Sequence, residues 1–364
     1  MKAKPLRMSI LMLSALLLIA GSTSREFSQQ AAALRQVTPQ AAPAPAADRR
    51  ITLDVVVTDH SGNPVPGLQM QDFTVLDNKQ PQPFTAFSAS DGTKTPDVSQ
   101  LRAIVLIDAV NTHFQAVGYE RDQVEKLLGN DGGELALPTS LVRLTDESLG
   151  QTVVTRDGKT LVALLKSEPF GLRSHTRSQG YYGGAETRQD SISALGRLST
   201  YEATQPGRKL LIWLGPGWPL LTGPGVQYSA RSQDWIFSRL VRLSTVLCQA
   251  RITLYNVDTP AGFGALAGQY YYQDFLKGVT SAKKVQNGNL ALQVFAVQSG
   301  GQVIHASNEI DKSIASCLED AKTYYTLSFD TPRSARADEY HSLQVKIGKP
   351  GLAARTRTGY YAQP

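Results

Sequence analysis

The sequence contains little charge and few residues of the types that bind metals or form disulfides. Only 19% of its 364 residues are Asp, Glu, Lys or Arg, and it has 2 cysteines and 5 histidines. The 41% of hydrophobic residues is ordinary for a globular protein and excludes wholesale disorder and a polytopic membrane protein. At roughly 150 residues per domain, the length predicts about two domains.

The short motifs of common enzymes are also absent. The sequence has no Gly-x-Ser-x-Gly, no phosphate loop ending in Gly-Lys-Ser/Thr, no Gly-x-Gly-x-x-Gly after a strand and no His-Glu-x-x-His. We therefore expect a protein that is not an enzyme, although acid and base groups can also converge from distant parts of a fold. The histidines are widely scattered, and each is interpreted as a surface or turn residue: His60, His113, His175, His305 and His341.

The first residues have the pattern of a secretory signal. Three basic residues within the first seven positions precede an apolar run from Met8 to Ala20, and small residues follow at 21–24. We interpret 1–24 as a signal peptide that is removed, with an uncleaved signal anchor as the alternative. Removal of three positive charges lowers the net charge from +6 to +3, which argues against a nucleic-acid partner. The expected location is secreted, periplasmic or in the outer envelope, without a membrane span after cleavage.

Both ends of the remaining chain have the period of β-strands. After a linker rich in Ala, Pro and Gln at 25–49, apolar residues alternate with polar ones from Ile51 in the segment 50–92, and the pattern returns in 323–364. Neither segment has enough strands to bury its apolar face alone. We therefore predict one small β-sandwich in which 323–364 pairs with 50–92, with Arg355 and Arg357 on the solvent face of an edge strand.

The middle of the chain, 100–322, alternates buried strands with amphipathic helices. Continuous apolar runs at 101–108, 208–214 and 252–258 are typical of strands covered on both faces. Helices and two short strands, at 142–145 and 152–155, are predicted between them, and a polar loop rich in Tyr and Gly is predicted at 173–186. The pattern predicts an α/β fold with a doubly wound, mostly parallel, Rossmann-like sheet.

The residues at these strands resemble a known family. The runs Ile104–Thr112, Pro206–Leu214 and Ile252–Asp258 are similar, in this order, to a von Willebrand factor type A domain, and more narrowly to the variant in secreted proteins of Acidobacteria. The resemblance covers roughly 51–361 and rests on the order of elements more than on one motif. It implies a binding or adhesion function at the carboxyl edge of the sheet.

The resemblance also implies a metal-ion-dependent adhesion site, which is degenerate here. In the family, an Asp-x-Ser-x-Ser motif holds a divalent cation together with a Thr and an Asp from later loops. Here Asp108 and Thr112 match the ends of the motif, but Val110 replaces the middle Ser, a Gly-Pro-Gly turn at 215–217 replaces the late acid, and 183–187 is a loose match for the Thr loop. We expect at most weak binding of Mg²⁺ or Mn²⁺. The alternative is that Asp108 only caps the following backbone.

Cysteines and clustered tyrosines leave two further questions. If the sheet has the family's order, Cys248 and Cys317 lie on helices that cover opposite faces, so we expect two buried free thiols rather than a disulfide. The tyrosines at 181–182 and 270–272 suit contact with a protein or a glycan, or else pack on the flank of their own domain.

The sequence therefore favours an exported, non-catalytic binding or adhesion module with a protein or cell-surface ligand. A structural or assembly component of the cell envelope with a vestigial site is the first alternative. An extracellular hydrolase with an unrecognised site is the second.

Overall fold

The computed structural model describes residues 49–92, 99–146, 148–167, 181–219, 227–259, 270–305 and 309–363. The predicted signal at 1–24 and almost all of the predicted linker at 25–49 lie outside these ranges, as does His175. Within the ranges, no helix has both the length and the apolar character that a membrane crossing requires.

The elements follow the chain in a β, α/β, β succession. The strands are β1 (Arg50–Thr58), β2 (Phe73–Asp77), β3 (Gln80–Gln82), β4 (Ala86–Ser90), β5 (Leu101–Asp108), β6 (Glu134–Leu144), β7 (Leu149–Gln151), β8 (Thr155–Asp157), β9 (Arg208–Leu214), β10 (Ile252–Asp258), β11 (Val303–His305), β12 (Tyr324–Asp330), β13 (Glu339–Ile347), β14 (Ala353–Arg355) and β15 (Gly359–Ala362). The helices are α1 (Phe114–Gly129), α2 (Gly158–Ser167), α3 (Tyr181–Ala203), α4 (Ala230–Gln249), α5 (Leu292–Gln298) and α6 (Ile310–Glu319).

The central layer is a seven-stranded, mostly parallel sheet with the strand order β11-β10-β9-β5-β6-β7 and β8 paired to β6. Strands β5, β6, β9, β10 and β11 are parallel, whereas β7 and β8 run antiparallel to β6. Every residue of β5 and β9 is buried, as their continuous apolar runs predict. The prediction of an α/β fold with a mostly parallel sheet is confirmed.

Helices cover both faces of this sheet. The apolar residues of α3, α4 and α5 pack with Leu106 and Leu211 on one face. The apolar residues of α1, α2 and α6 pack with Val105 and Ile212 on the other. The alternation of neighbouring residues between two cores explains why these strands tolerate apolar side chains at every position.

Two local predictions in the central layer are wrong. In place of the two short strands expected at 142–145 and 152–155, the structure has a long β6 and the short β7 and β8. Residues 139–144 of β6 pair with β5, and Glu134 extends the strand by pairing with Asp157 of β8. Within the expected loop at 173–186, residues 181–186 begin α3, and 173–180 lie outside the described residues. Apolar side chains further along α3, such as Leu195, are buried in the core, and this packing outweighs the helix-breaking tendency of Gly183 and Gly184.

The two ends of the described chain form two antiparallel four-stranded sheets. Their orders are β14-β1-β12-β4 and β15-β13-β2-β3, so each sheet contains strands from both ends. β1 pairs with β12, and β2 pairs with β13. One apolar cluster joins the sheets, with Leu53 and Leu327 from the first and Val75 and Val345 from the second.

One histidine of this β region is buried rather than placed at a surface or in a turn. The Nδ1 atom of His341 lies 2.8 Å from Oδ1 of Asp77, and the hydroxyl of Tyr360 donates to Oδ2 of the same carboxylate at 2.7 Å. His341 lies on the same buried face of β13 as Leu343 and Val345, at a spacing of two residues, so it points into the sandwich. Burial raises the pKa of the Tyr360 hydroxyl, and the neighbouring carboxylate of Asp77 raises this pKa further.

The arginines near the C-terminus do not form a solvent face. Arg355 contacts the carboxylate of Asp320 and the carbonyl of Gly300, and Arg357 is 8% exposed. At the same boundary between the antiparallel sheets and the α/β layers, Arg251 pairs with the carboxylate of Asp54 at 2.5 Å. The prediction of an exposed basic edge is wrong because this segment packs against the α/β layers, where Arg355 meets the carboxylate of Asp320 and Arg357 donates to the carbonyl of Ser244 at 3.5 Å.

The two cysteines are both free and lie on helices of opposite faces. Cys248 belongs to α4 and is partly exposed, whereas Cys317 belongs to α6 and is buried. The expectation of burial therefore holds for Cys317 only. Burial raises the pKa of the Cys317 thiol, which makes it less reactive in the folded protein.

Thiol counting tests this arrangement directly. Alkylation of the purified protein after unfolding in the absence of reductant is expected to add two labels by mass spectrometry. In the folded protein Cys248 is expected to react first, because it alone has solvent access. A mass without labels would mean a disulfide, and it would contradict the placement of α4 and α6 on opposite faces.

Deletion of residues 323–364 tests the shared sheets. The truncation removes β12 and β13, so the apolar faces of β1 and β2 lose their main pairing partners. We expect aggregation, or proteolysis of the segment before Asp91, as seen by limited digestion and light scattering. A truncated protein that remains monomeric, with a protease-resistant N-terminal segment, would show that this segment folds without β12 and β13.

Candidate functional site

The last residue of β5 anchors a buried polar network at the carboxyl edge of the sheet. Asp108 is fully buried, and its Oδ1 accepts the backbone N–H groups of Val110 and Asn111, each at 3.0 Å. Its Oδ2 accepts the side-chain Nδ2 of Asn111 at 2.6 Å and the indole Nε1 of Trp213 at 2.8 Å. Burial raises the pKa of the Asp108 carboxyl, while these four hydrogen bonds act in the opposite direction.

Asn111 extends the network to α3. Its Nδ2 also donates to Oγ of Ser191 at 2.9 Å, and that hydroxyl donates to the carbonyl of Thr187 at 2.8 Å. The segment 183–187, a loose match for a Thr-bearing loop, is therefore the first part of a helix that lies beside the network. The sequence pattern gave no reason to include Ser191.

Thr112 lies against the turn that follows β9. It is 2% exposed, and its Oγ1 has no hydrogen-bond partner among the described residues. Gly215 has φ +142°, and a Cβ atom there would lie 3.2 Å from both the Asp108 Cβ and the Thr112 Oγ1. The structure thus brings Asp108, Thr112 and the Gly-Pro-Gly turn together, but the space next to Gly215 has no room for a larger side chain.

These residues do not fit a stable Mg²⁺ or Mn²⁺ centre in the arrangement described. Both carboxylate oxygens of Asp108 already accept N–H groups, so a cation would have to displace the donors Asn111 and Trp213. Among the described residues, no three side chains of His, Cys, Asp or Glu gather as a metal-binding group. The Oδ1 of Asn111 and the Oγ1 of Thr112 are buried oxygens that have no partner in the described ranges, but two neutral oxygens form a weak set for a hard cation.

A second buried acid lies near this network. Glu120 of α1 is 0% exposed, its Oε1 accepts the hydroxyl of Thr259 at 2.7 Å, and its Oε2 has no partner in the described part of the chain. Burial raises the pKa of Glu120 to about 8; the Thr259 bond opposes this, and the Asp108 charge adds to it. In the sequence, Glu120 stands three residues after Val117 and four before Val124, so helical spacing places this acid on the apolar face of α1.

The neighbouring strands carry a partly exposed acid–histidine pair at the same edge. Asp258 ends β10 and His305 ends β11, and the two are register partners with Oδ2 and Nδ1 3.1 Å apart. Burial raises the pKa of Asp258, and the bond to His305 opposes the rise. His305 is therefore not an isolated surface residue. Tyr270, 56% exposed, places its ring centroid 5.3 Å from the His305 ring.

The other clustered tyrosines divide between the two earlier interpretations. Tyr271 and Tyr272 pack on a small apolar cluster around Phe275 and Val294, so they cover the flank of their own domain. Tyr182 is 74% exposed on α3. The side chain of Tyr181 lies outside the described residues.

One exposed apolar side chain at this edge was missed from the sequence. Phe114, the first residue of α1, is 61% exposed and stands two positions after Thr112, the end of the Asp108–Thr112 segment. A Phe at the start of an amphipathic helix looks like a core residue in the sequence, and only the position of the helix shows that it faces outward. Phe114 and Tyr270 are thus aromatic groups that face solvent at the edge where the buried network lies.

Comparison with known proteins identifies no family for this chain. No family model matches it, and neither does any curated protein. Among solved structures, it is similar to the human COPII-coat protein Sec24c (10% identity, 74% of this chain, 44% of that chain, TM-score 0.30). It is also similar to the pilus adhesin SpaC from Lactobacillus rhamnosus GG (9% identity, 85% of this chain, 50% of that chain, TM-score 0.33). The chain thus spans half or less of either protein, and likenesses at these scores carry no conclusion about function.

The raised pKa of Glu120 predicts a specific dependence of stability on pH. Because the folded state holds this proton up to about pH 8 and the unfolded state releases it near 4.5, the free energy of unfolding should fall as pH rises through this window. The slope is at most about 1.4 kcal/mol per pH unit. Glu120→Gln keeps an acceptor for Thr259 but does not titrate, so it should flatten the curve and raise stability above pH 8.

Urea unfolding of both proteins from pH 5 to pH 9 measures this effect. The matched control is Glu186→Gln, because Glu186 is exposed on α3. Parallel curves for wild type and Glu120→Gln would mean that Glu120 is ionised in the folded protein at neutral pH.

Proposed function

We propose that the chain is an exported, non-catalytic binding module whose α/β domain is of the von Willebrand factor type A kind. In this proposal, the carboxyl edge of the parallel sheet contacts a protein or cell-surface ligand. The adhesion site of that family is degenerate here, with Asp108 and Thr112 as its remaining residues. Export is part of the proposal and rests on the basic and apolar pattern of residues 1–24.

The observation that carries this proposal is the position of exposed aromatic groups at the switch in strand order. The chain passes from β5 to β6 on one side and later to β9 on the other, so the switch point lies between β5 and β9. In open α/β sheets, ligands bind at the carboxyl ends of the strands at such a point. Phe114 faces solvent there, three positions after Asn111, whose backbone Asp108 holds in place.

The buried network supports binding by making this edge rigid. Four N–H groups fix the Asp108 carboxylate and therefore the backbone of Val110 and Asn111. An aromatic side chain presented on a fixed backbone loses little conformational freedom when it is covered by a partner. The same geometry argues that binding does not depend on a tightly held metal ion.

A structural or assembly role in the cell envelope is the second proposal, and it is favoured by the saturated carboxylate of Asp108. In that case the edge network only stabilises the fold, and the β-sandwich would be the docking element. An enzymatic role is the weakest of the three, because no observation favours it.

The weak cation site remains a prediction that calorimetry tests. If Asp108 and Thr112 hold Mg²⁺ or Mn²⁺, titration should give a dissociation constant of about 1 mM or weaker, because side-chain N–H donors must be displaced first. Addition of the ion should then raise the melting temperature of the wild type but not of Asp108→Ala. Tight binding at micromolar concentration would contradict the degenerate site, and no heat at millimolar concentration would exclude the metal.

Capture from a native envelope fraction tests the binding edge. Immobilised wild type is compared with Phe114→Ala, with and without chelator, and recovered proteins are quantified by mass spectrometry. Tyr201→Ala is the matched control, because Tyr201 is 55% exposed near the end of α3, which leads to the opposite edge of the sheet.

We expect Phe114→Ala to lower the amount of captured ligand about tenfold, because a central aromatic contact contributes at least 1–2 kcal/mol. Tyr201→Ala and chelator should have little effect. Equal capture by wild type and both variants would favour the structural role. A loss of capture that occurs only when chelator is added would favour a metal-dependent site.

A further inference from the structure

Helix α4 carries a stripe of arginine and tryptophan on its outer face. Arg231, Trp235, Arg239 and Arg242 follow one another at spacings of four, four and three residues, which places them on one side of a helix. The opposite side is buried, with Ile236, Leu240, Leu243 and Leu247 in the core. From Arg231 to Arg242 the stripe is about 16 Å long at the rise of an α-helix.

The tryptophan of the stripe is exposed although it is large and apolar. Trp235 is 43% exposed, and the guanidinium carbon of Arg239 lies 4.7 Å from the centre of its ring. Arg231 and Arg242 are exposed on either side of this pair. With its amide oxygen toward α4, Gln189 of α3 accepts from Nη1 of Arg239 at 2.8 Å and from Nη2 at 3.2 Å. Arg239 is therefore held between Gln189 and the Trp235 ring, and the exposed Arg231 and Arg242 are the cations that a partner can reach.

One acid lies beside the stripe: Asp234 of α4 is exposed and stands three residues after Arg231, so three arginines face a single local carboxylate. Among the described side chains, no carboxylate oxygen lies within 4.0 Å of the guanidinium nitrogens of Arg231, Arg239 or Arg242. Burial lowers the pKa of Arg239, and the charge of Arg242 lowers it further. The neighbouring Lys283 and Lys284 are also exposed, and Gln233 of α4 contacts the Lys283 carbonyl at 3.4 Å.

We propose that the α4 stripe, Arg231–Trp235–Arg239–Arg242, is a docking surface for an acidic segment of a protein partner. Charge complementarity selects an anionic occupant, because three arginines outnumber the single acid Asp234 beside them, and Lys283 and Lys284 are exposed on a segment that contacts α4. Arg matches the two oxygens of a carboxylate in a bidentate geometry, and Trp and Arg are the residue types that dominate the energetics of protein interfaces. A lipid surface requires only positive charge, which lysine alone would supply. The combination of Arg and Trp therefore suits a protein segment better than a lipid surface.

Fluorescence anisotropy with a defined probe tests this proposal. The probe is a labelled peptide of about eight residues with alternating Glu and Leu, long enough in extended form to cover the stripe. The same peptide with Gln in place of Glu is the neutral control. Anionic vesicles and a sulfated oligosaccharide, each titrated as a competitor, distinguish the other sources of negative charge.

The variants separate specific docking from general attraction of charge. Arg231→Glu combined with Arg242→Glu, both at exposed positions, should weaken peptide binding at least tenfold, and Trp235→Ala should weaken it severalfold. Arg333→Glu combined with Arg336→Glu makes the same change in net charge on the β-sandwich, where both residues are exposed, and should have little effect. Circular dichroism melting curves show whether each variant is folded, and Trp235→Ala carries the test if the double variant is not.

Three results would overturn the proposal. Equal weakening by both double variants would mean attraction by net charge alone. Equal affinity for the Glu and Gln peptides would mean that the carboxylates are not recognised. Tighter, Trp235-dependent binding of the oligosaccharide or the vesicles would assign the stripe to a glycan or to a membrane surface.

Discussion

The antiparallel pairing of β1 with β12 is the constraint on which the rest of the architecture depends. It joins Arg50 to Asp330 across 280 positions of the chain, with a salt bridge of 3.1 Å between their side chains. Everything between these strands must begin and end close together. The α/β layers meet this requirement because β5 starts, and α6 ends, on the side of the sheet that faces β1 and β12. Closing so long a loop costs little more than closing a short one, since the entropy grows only with the logarithm of length.

Charged residues accumulate along the seam that this pairing creates. Arg251 meets Asp54, and Arg355 meets Asp320, whose carboxylate also accepts the hydroxyl of Tyr255. Because the strands at both sides of the seam begin or end there, unpaired backbone groups and charges are brought together away from water. Ion pairs and hydrogen bonds to carbonyls satisfy these groups, as with Arg208 and the carbonyl of Asp320 at 2.9 Å.

The sequence predicts the parts of the fold that depend on local patterns and fails where distant contacts decide. Strands β5, β9 and β10 are visible because each is a continuous apolar run. The full length of β6 is not, because Pro138 interrupts it; the register shift in its pairing with β8 spans that position. Arg355 and Arg357 look like a solvent face in the sequence, and only the packing of the α/β layers against them reverses that interpretation.

The same distinction between local patterns and distant contacts explains which residues of the candidate site the sequence predicts. Asp108 and Thr112 were found because a strand end and a short motif mark them. Trp213 was not, since it stands in an apolar run and its indole N–H meets Asp108 only through the pairing of β9 with β5. Ser191 and Thr259 come from other elements altogether. Residues that complete a buried network are chosen by geometry across the sheet, and their types alone, Ser, Thr and Trp, are too common to reveal them.

The position of β12 and β13 at the centre of their sheets sets the order in which the chain becomes able to fold. β12 lies between β1 and β4, and β13 lies between β2 and β15. A ribosome makes β1 to β4 first, yet their neighbours are among the last residues to emerge. The α/β layers can complete their local pairings in the meantime, and β2 can pair with β3, but β1, β2 and β4 lack their partners β12 and β13 until almost the whole chain has been synthesised. Within the described chain, β1 to β4 thus wait longest for their neighbours, and they are exposed to chaperones and proteases during that time.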